Sequence, residues 1–354
     1  MESFRNFIID HVDRVLEYLK QNPLLIYARR SVDAYAASYA LAQTFGEAAH
    51  VAVVDWPPQR GVCVGFKCDG LYITEWEVGV DDKTYKTDFT SISHLTAVLI
   101  QTLAPLEEDV HRALYVGHYA WSVDYCEFKC PLPPELAKGD EVLRVVFPHL
   151  DDLPFKKALS LSTLPIVPGV TGREADDGKR ASELTREEAV ALLDWALGAA
   201  AAEGFHTAVL DKAVRPYSKE FKPAEKAQRV EADLAGFVGR DLWEYVSNIA
   251  ETFYQLLKKR EEISALPNPF YIYKLPPYLA YYVKNTQWSA LRYDSPRGHL
   301  VAVLPPPGAR DRLKTAEERL AEVGQVLKFP THLVVFVESG KLQDFKEAYE
   351  KVKS

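Results

Sequence analysis

Hydrophobic and polar positions change period several times along the chain, and these changes outline its elements. In residues 2–21 the apolar side chains recur at helical spacing, and Asn22-Pro23 ends this predicted helix. A helix rich in small residues is predicted at 32–45. Short apolar, β-branched runs predict strands at 24–28, 50–55, 62–68 and 71–76. This order is typical of a parallel α/β sheet, in which ligands bind beyond the carboxyl ends of the strands.

The middle of the chain is mainly helical in pattern. Helical spacing runs from Ser91 to about residue 121, and Pro105 predicts a break between two helices. Thr185 and Glu188 form a capping-box pattern ahead of a long apolar helix. A further helical region covers 224–260.

The last hundred or so residues alternate between strand-like and helix-like patterns, which predicts a small α+β domain. The predicted strands are "FYIYKL", "TQWSALRY", "HLVAVLP" and "THLVVFVE", and the predicted helices are "TAEERLAEVGQVL" and "KLQDFKEAYEKV". The segment "RPYSKEFKP" separates two patterned regions, so we place the domain boundary there, with domains at 1–218 and 219–354.

Composition and charge exclude several classes of protein. The 354 residues are enough for two cores, and 47% hydrophobic with 26% charged residues is typical of a globular chain, not a disordered one. The net charge of -8 is spread along the sequence, so no overall basic field attracts nucleic acid. No apolar run has the length of a membrane span, and the N-terminus does not have the pattern of a signal peptide. We therefore expect a cytoplasmic protein with no membrane partner.

The cysteines do not predict a metal site. Cys63, Cys68, Cys126 and Cys130 have no histidine or further cysteine at zinc-finger spacing. We expect buried thiols with at most one disulfide.

Residues near the predicted strand ends carry a resemblance to a known family. "SVDAYAASYAL" places Ser31 and Asp33 where the RecJ-like DHH phosphoesterases have a D-x-D pair after the first strand. "ITEWE" places Glu75, Trp76 and Glu77 at the D-H-H segment that names the family, and "SISHLTAVLIQTL" is similar to the helix that follows it. The order of elements extends the resemblance over most of the chain.

Downstream segments resemble other parts of the same family. The family has a further aspartate where this chain reads "HYAWSVD", so His118 or Asp124 is the nearest substitute. "LPFKKALSLSTLPIVPGVTGRE" is similar to the segment with P-x-x-P-G-x-T-G, and "WSALR" resembles the substrate-binding strand, with Ser289 and Arg292 in its S-x-R. The resemblance implies an α/β fold with a DHH-type parallel-sheet N-terminal domain and a smaller α+β DHH-associated domain.

The substitutions change what the implied site could do. Phosphodiester hydrolysis of this kind needs two divalent ions held by several convergent aspartate and histidine ligands. Serine replaces one carboxylate, and Trp76 cannot bind a metal because its indole nitrogen is only a donor. "VLKFPTH" also stands where the family has a glycine-rich G-G-G-H loop whose backbone would cradle a phosphate. We expect no catalysis, no bound metal and no cofactor.

Structural roles for the same residues stay open. Asp33, Asp55, Glu75 and Glu77 could be solvated or paired with Arg29 and Arg30, or a pair of them could bind a single Mg²⁺. His118 could be a packed core histidine. The two arginines, with Ser289 and Arg292, are candidate nucleic-acid contacts, since arginine also binds DNA phosphates.

Inactive relatives within this family, the archaeal and eukaryotic cell division control protein 45 group, suggest a function. They serve as scaffolds in the replicative helicase with the MCM ring and the GINS complex. The resemblance implies an archaeal, nucleoid-associated subunit that binds GINS and MCM, with weak affinity for single-stranded DNA. The alternatives are a single-strand exonuclease or oligonucleotide phosphodiesterase with a Mn²⁺ site built from Asp33, Asp55, Glu75 and Glu77, and a nucleotide-sensing module.

Overall fold

The computed structural model describes residues 1–126, 130–137, 147–175, 178–202, 222–238, 241–259, 262–282 and 287–353. The chain divides into two compact units, Met1–Val145 with Lys219–Leu234, and Val146–Ser218 with Ala235–Ser354. The predicted boundary between residues 218 and 219 lies outside the described residues, so the division into domains at 1–218 and 219–354 stays a prediction. Among the described residues, no helix is long and apolar enough to cross a membrane.

The first unit contains a six-stranded sheet flanked by helices. Its strands are β1 Leu24–Arg29, β2 Ala49–Val54, β3 Arg60–Val64, β4 Asp69–Ile73, β5 Glu77–Val80 and β6 Lys83–Lys86. Its helices are α1 Glu2–Asp10, α2 Val12–Leu19, α3 Val32–Phe45, α4 Ile92–Leu103, α5 Glu108–Tyr125 and, from later in the chain, α8 Pro223–Leu234.

Strand order in this sheet is β2-β1-β3-β4-β5-β6, with the first four strands parallel and the last two antiparallel. The predicted parallel α/β fold is therefore confirmed, with an antiparallel hairpin added at one edge. Strands β1, β3 and β4 are largely buried, which explains their continuous apolar, β-branched sequences.

Small residues allow α3 and α5 to approach closely. Ala34, Ala37 and Ala40 of α3 are fully buried in the core of this unit. On α5, a Cβ added to Gly117 would lie 2.9 Å from the Cβ of Ala36 and 2.1 Å from Ser93 Oγ. The alanine-rich sequence of α3 is thus a packing requirement.

The second unit contains a five-stranded sheet and further helices. Its strands are β7 Ile263–Ala265, β8 Ser289–Ser295, β9 Gly298–Leu304, β10 Gln325–Lys328 and β11 Leu333–Glu338, in the order β10-β11-β9-β8-β7. Among these described strands, only β7 and β8 pair in parallel. Its helices are α6 Phe155–Ser160, α7 Arg186–Ala202, α9 Leu242–Lys259, α10 Tyr271–Tyr282, α11 Leu313–Leu320 and α12 Leu342–Lys353.

The structure corrects three sequence predictions of secondary structure. "FYIYKL" was predicted as a strand, but it begins α10, where the Asn268 side chain accepts the Phe270 N–H at 2.9 Å. The predicted helix "TAEERLAEVGQVL" ends at Leu320, and its last residues form β10, because Gly324 allows close contact with the Phe336 backbone. The helix predicted at 2–21 is divided into α1 and α2 at His11.

The expectation of buried thiols is also wrong. Cys63 pairs with Cys68, and Cys126 pairs with Cys130, so all four cysteines are in disulfides and none is free. Both pairs are local, with sequence separations of 5 and 4 residues. Each disulfide therefore constrains a short loop and not the global fold. The capping box of Thr185 and Glu188 at the start of α7 is confirmed, with reciprocal bonds of 2.9 and 3.2 Å.

Because α3 and α5 pack closely, replacing a helical glycine by alanine should have opposite effects on stability at Gly117 and at Gly198. Gly117→Ala should lower the free energy of unfolding by about 1–3 kcal/mol, because the new methyl group overpacks the contact with Ser93 and Ala36. Gly198→Ala on α7 meets nothing within 4 Å and should raise it by about 0.4–1 kcal/mol. Urea unfolding followed by circular dichroism measures both. A neutral Gly117→Ala would contradict the close packing.

Candidate functional site

The residues that stand at the family's site positions lie at or near the carboxyl ends of the parallel strands of the first unit. We call the following set the remnant site: Ser31, Asp33, Asp55, Glu75, Trp76, Glu77 and His118. Ser31 and Asp33 follow β1, Asp55 follows β2, and Glu75 and Trp76 follow β4. Glu77 begins β5, and His118 lies in α5.

A buried ion pair occupies the centre of the remnant site. The Arg29 guanidinium, 1% exposed, forms a two-pronged pair with the Glu75 carboxylate, which is 2% exposed. Arg29 Nη1 also donates to the Gly65 carbonyl at 3.0 Å. Gly65 follows β3 with φ of +88°, and a Cβ there would lie 2.7 Å from Arg29 Cβ. The arginine therefore ties together the ends of three neighbouring strands.

Two further carboxylates are paired with cations. Asp55 accepts bonds from Nε and Nη2 of Arg30, whose Nη1 donates to the Leu234 carbonyl of α8 at 2.8 Å. Glu77, 6% exposed, is paired with the Lys67 ammonium. The ion-pair role that the sequence left open is thus the arrangement found for Asp55 and Glu75.

Asp33 caps a neighbouring helix. Its two carboxylate oxygens accept the backbone N–H groups of Ile92 at 2.8 Å and Ser93 at 2.9 Å, at the start of α4. Burial raises the pKa of Asp33 from 3.8 to about 7, and the nearby Glu75 charge acts in the same direction, while the bonds from Ser93 and Ile92 oppose it.

The serine and histidine of the remnant site also serve the helix ends. Ser31 caps α3 by accepting the Ala34 N–H at 3.3 Å. His118 Nδ1 lies 2.7 Å from Oγ of Ser91, the cap of α4, which accepts the His94 N–H at 3.0 Å. Burial lowers the pKa of His118 from 6.5 to about 3, and His94 acts in the same direction, whereas the Pro131 carbonyl opposes it.

Trp76 belongs to a row of aromatic rings. Its ring lies 5.0 Å from Phe89, which lies 5.2 Å from Trp121, and Trp121 stacks on His118 at 5.5 Å. The turn that carries Trp76 is fixed by backbone bonds, since its carbonyl accepts the Thr87 N–H at 2.8 Å. The indole at the D-H-H position therefore packs against a neighbouring loop.

The remnant site does not fit a pair of divalent ions. Its carboxylates already bind Arg29, Arg30, Lys67 and the start of α4, so a metal ion would have to compete with these partners. Among the described residues, no three remnant-site ligand atoms lie within 4.8 Å of one another. The cationic side chains supply the positive charge that these carboxylates need.

The candidate substrate residues of the second unit lie on β8. Ser289 begins the strand, and Arg292 is paired with Asp294 at 3.1 Å, which also binds His299 Nδ1. The nucleic-acid contacts predicted at Arg29, Arg30, Ser289 and Arg292 stay predictions. Arg29 is enclosed, whereas the other three are partly exposed.

Sequence reasoning did not identify several residues that complete the remnant site. Ser91, Ser93 and Lys67 were not singled out, although a serine just before a helical pattern is a recognisable cap signal. Lys67 had no such signal, because its pairing with Glu77 depends on how two loops meet.

Comparisons with known proteins find similarity among solved structures. No family model and no curated protein matches the sequence. Among solved structures, CDC45 from Entamoeba histolytica is similar over 98% of both chains, with 9% identity and a TM-score of 0.40. RecJ in complex with Mn²⁺ from Thermus thermophilus is similar over 98% of this chain and 54% of its own length, with 12% identity and a TM-score of 0.41.

A third similar structure is an exopolyphosphatase-related protein from Bacteroides fragilis, with 10% identity, a TM-score of 0.36, and coverage of 97% of this chain and 95% of that one. The chain spans about half the length of the RecJ structure. CDC45 and RecJ are the groups that the sequence motifs resemble. Since all three TM-scores lie below 0.5, the function proposed below rests on the motifs and on the remnant site.

The free energy of unfolding should depend strongly on both partners of the buried Arg29–Glu75 pair. Glu75→Gln should lower the free energy of unfolding by about 3–5 kcal/mol, because Arg29 keeps a buried charge without a counter-ion. Replacing both, as Arg29→Met with Glu75→Leu, should recover most of that loss. Asp82→Asn, in an exposed pair with Lys83, is the control and should change stability little. Urea unfolding of the four proteins tests this, and a Glu75→Gln variant as stable as the parent would contradict it.

Asp33 and His118 predict opposing pH effects. The raised pKa of Asp33 favours folding as pH falls from about 7 to 4, by up to about 4 kcal/mol. The lowered pKa of His118 opposes folding as pH falls below about 6.5, by a similar amount. These two groups together should therefore change the free energy of unfolding of the parent little between pH 7 and 4. Asp33→Asn lacks the compensating contribution and should lose stability on acidification.

Unfolding free energies measured at pH 7, 5.5 and 4 test this compensation. The exposed Asp13→Asn is the matched control and should follow the parent. Identical pH profiles for Asp33→Asn and the parent would show that Asp33 has an ordinary pKa.

Proposed function

We propose that this chain is a non-catalytic, RecJ-like scaffold subunit of an archaeal replicative helicase, located with the nucleoid in the cytoplasm, and that it binds GINS and MCM at the replication fork with weak affinity for single-stranded DNA. The observation that carries the proposal is the buried Arg29–Glu75 pair. It occupies the position where the motif resemblance implies metal-binding carboxylates.

The role of each remnant supports loss of catalysis with retention of the fold. A carboxylate that accepts a guanidinium or a helix N-terminus is a structural group, and removing it exposes a buried partner. Arg29 and Glu75 connect the strand ends, and Asp33 caps the start of α4, so these residues have structural roles that require no catalysis.

The partners come from the motif resemblance. Catalytically degenerate members of the group that "SVDAYAASYAL" and "ITEWE" resemble assemble with GINS and MCM. A scaffold of this kind binds through its surface and needs no cleft chemistry, in agreement with a remnant site in which Asp33, Asp55 and Glu75 bind groups of the protein itself.

Two measurements test the proposal together. Purified protein is incubated with end-labelled single-stranded DNA and Mn²⁺, and tagged protein is purified from its native cell with identification of co-purifying proteins. We expect no turnover, and recovery of GINS and MCM subunits. Asp33→Ala and the exposed control Asp82→Ala should both leave the DNA intact.

The opposite result would identify an enzyme. Mn²⁺-dependent cleavage that is abolished by Asp33→Ala and retained by Asp82→Ala would support the exonuclease or oligonucleotide phosphodiesterase alternative. Absence of both GINS and MCM from the purified material would contradict the scaffold role.

A further inference from the structure

Strand β2 forms one edge of the six-stranded sheet, and its outer side is unpaired. Among the described strands, its only neighbour is the parallel strand β1. The Leu24 N–H donates to the Ala48 carbonyl at 2.9 Å, and in a parallel ladder a residue bonds the two residues that flank its partner. Alternate residues of β2 therefore direct their backbone N–H and carbonyl groups away from the sheet. These residues are Ala49, Val51 and Val53, and no other described residue bonds their backbone groups.

The other edges of the described sheets are short or carry lysines, as native edge strands usually do. Strand β6 has four residues and includes Lys83 and Lys86, β10 has four and includes Lys328, and β7 has three. Strand β2 has six residues without a charged side chain or a proline, and its continuous register with β1 contains no bulge. All six are at least partly exposed. A long, apolar edge without such protection is a site for pairing with another strand.

The properties of this edge define what can occupy it. The occupant must be an extended segment with free backbone groups and with uncharged residues opposite β2, because a charge at such a contact would lose water without gaining a partner. Every other described strand of six or more residues already has a neighbour on both sides; these strands are β1, β8, β9 and β11. Within the described chain, the segment that fits β2 is therefore β2 of a second copy. Identical edges pair across a two-fold axis, which makes the strands antiparallel.

Charge determines the register of this antiparallel pair. Two registers overlap most of the strand and bring the outward backbone groups together, one centred on Val51 and one on Ala52. The first places the exposed Glu47 opposite Asp55, a like charge that already has its cation. The second places Val51 opposite Val53 and keeps these carboxylates apart. Cross-strand pairs of β-branched residues stabilise a sheet, so the register centred on Ala52 is favoured.

We propose that β2 is a self-association edge, which pairs antiparallel with β2 of a second copy of this chain and joins the two six-stranded sheets into one. In this arrangement Val51 of each copy exchanges backbone hydrogen bonds with Val53 of the other, while Ala52 faces its counterpart across the two-fold axis. The inference goes beyond the proposed scaffold role, for which a single copy is sufficient.

The mass of the full chain in solution tests the pairing. Sedimentation equilibrium should show a mass that rises with concentration from one chain to two. Val53→Pro removes an outward N–H that β1 does not use, and proline is tolerated at such edge positions. It should weaken the dimer about 30-fold, the effect of two hydrogen bonds across the two-fold axis. Val53→Thr keeps the N–H and the branched side chain, so this control should associate like the parent.

A cross-link tests the register without a proline. Facing residues of a non-hydrogen-bonded antiparallel pair have Cα atoms about 4.5 Å apart, which a disulfide can span. All four native cysteines are in disulfides, so Ala52→Cys adds the one free thiol. Mild oxidation of Ala52→Cys should give a covalent dimer. Ala191→Cys, at an exposed position on α7, is the control and should stay a single chain.

Each contrary result overturns the proposal. These results are a single-chain mass at every concentration, a dimer that Val53→Pro leaves unchanged, or no covalent dimer of Ala52→Cys. A single chain that co-purifies with another protein, in a complex that Val53→Pro abolishes, would also overturn it, because a foreign strand would then occupy the edge. Recovery of GINS and MCM should not depend on Val53→Pro, so failure of the dimer leaves the scaffold role standing.

Discussion

The ion pair between Arg29 and Glu75 is the constraint on which the remnant site depends. One guanidinium, enclosed at the end of β1, binds the Gly65 carbonyl after β3 and the carboxylate after β4. It therefore connects three strand ends and neutralises a buried negative charge. Removing one partner of such a pair leaves an uncompensated buried charge and is strongly destabilising. Replacing both partners by apolar residues of similar size changes stability far less. A site built around it cannot release Glu75 to a metal without destabilising the sheet.

The other remnants follow the same logic with different partners. Asp33 and Ser31 cap α4 and α3, and Asp55 joins Arg30, which in turn binds the end of α8. These side chains hold backbone groups and arginine.

Local patterns in the sequence predicted much of the fold but little of the site's connectivity. Apolar, β-branched runs predicted β1 to β4, of which β1, β3 and β4 are largely buried, and Pro105 marked the break between α4 and α5. The aromatic run at α10 was misassigned because β propensity outweighed the cap at Asn268. The bond from Ile92 to Asp33 spans 59 residues, and the pairing of Lys67 with Glu77 depends on loop geometry, so neither has a local signal.

The carboxylates of Asp33, Asp55, Glu75 and Glu77 are committed to protein cations and a helix end. Anomalous diffraction from crystals of the protein soaked in manganese tests it most directly. We predict that no two manganese ions are bound by Asp33, Asp55, Glu75 and Glu77. The salt bridge between Arg29 and Glu75 should be intact in the electron density. Two fully coordinated manganese ions at these carboxylates, with Arg29 displaced, would contradict the account.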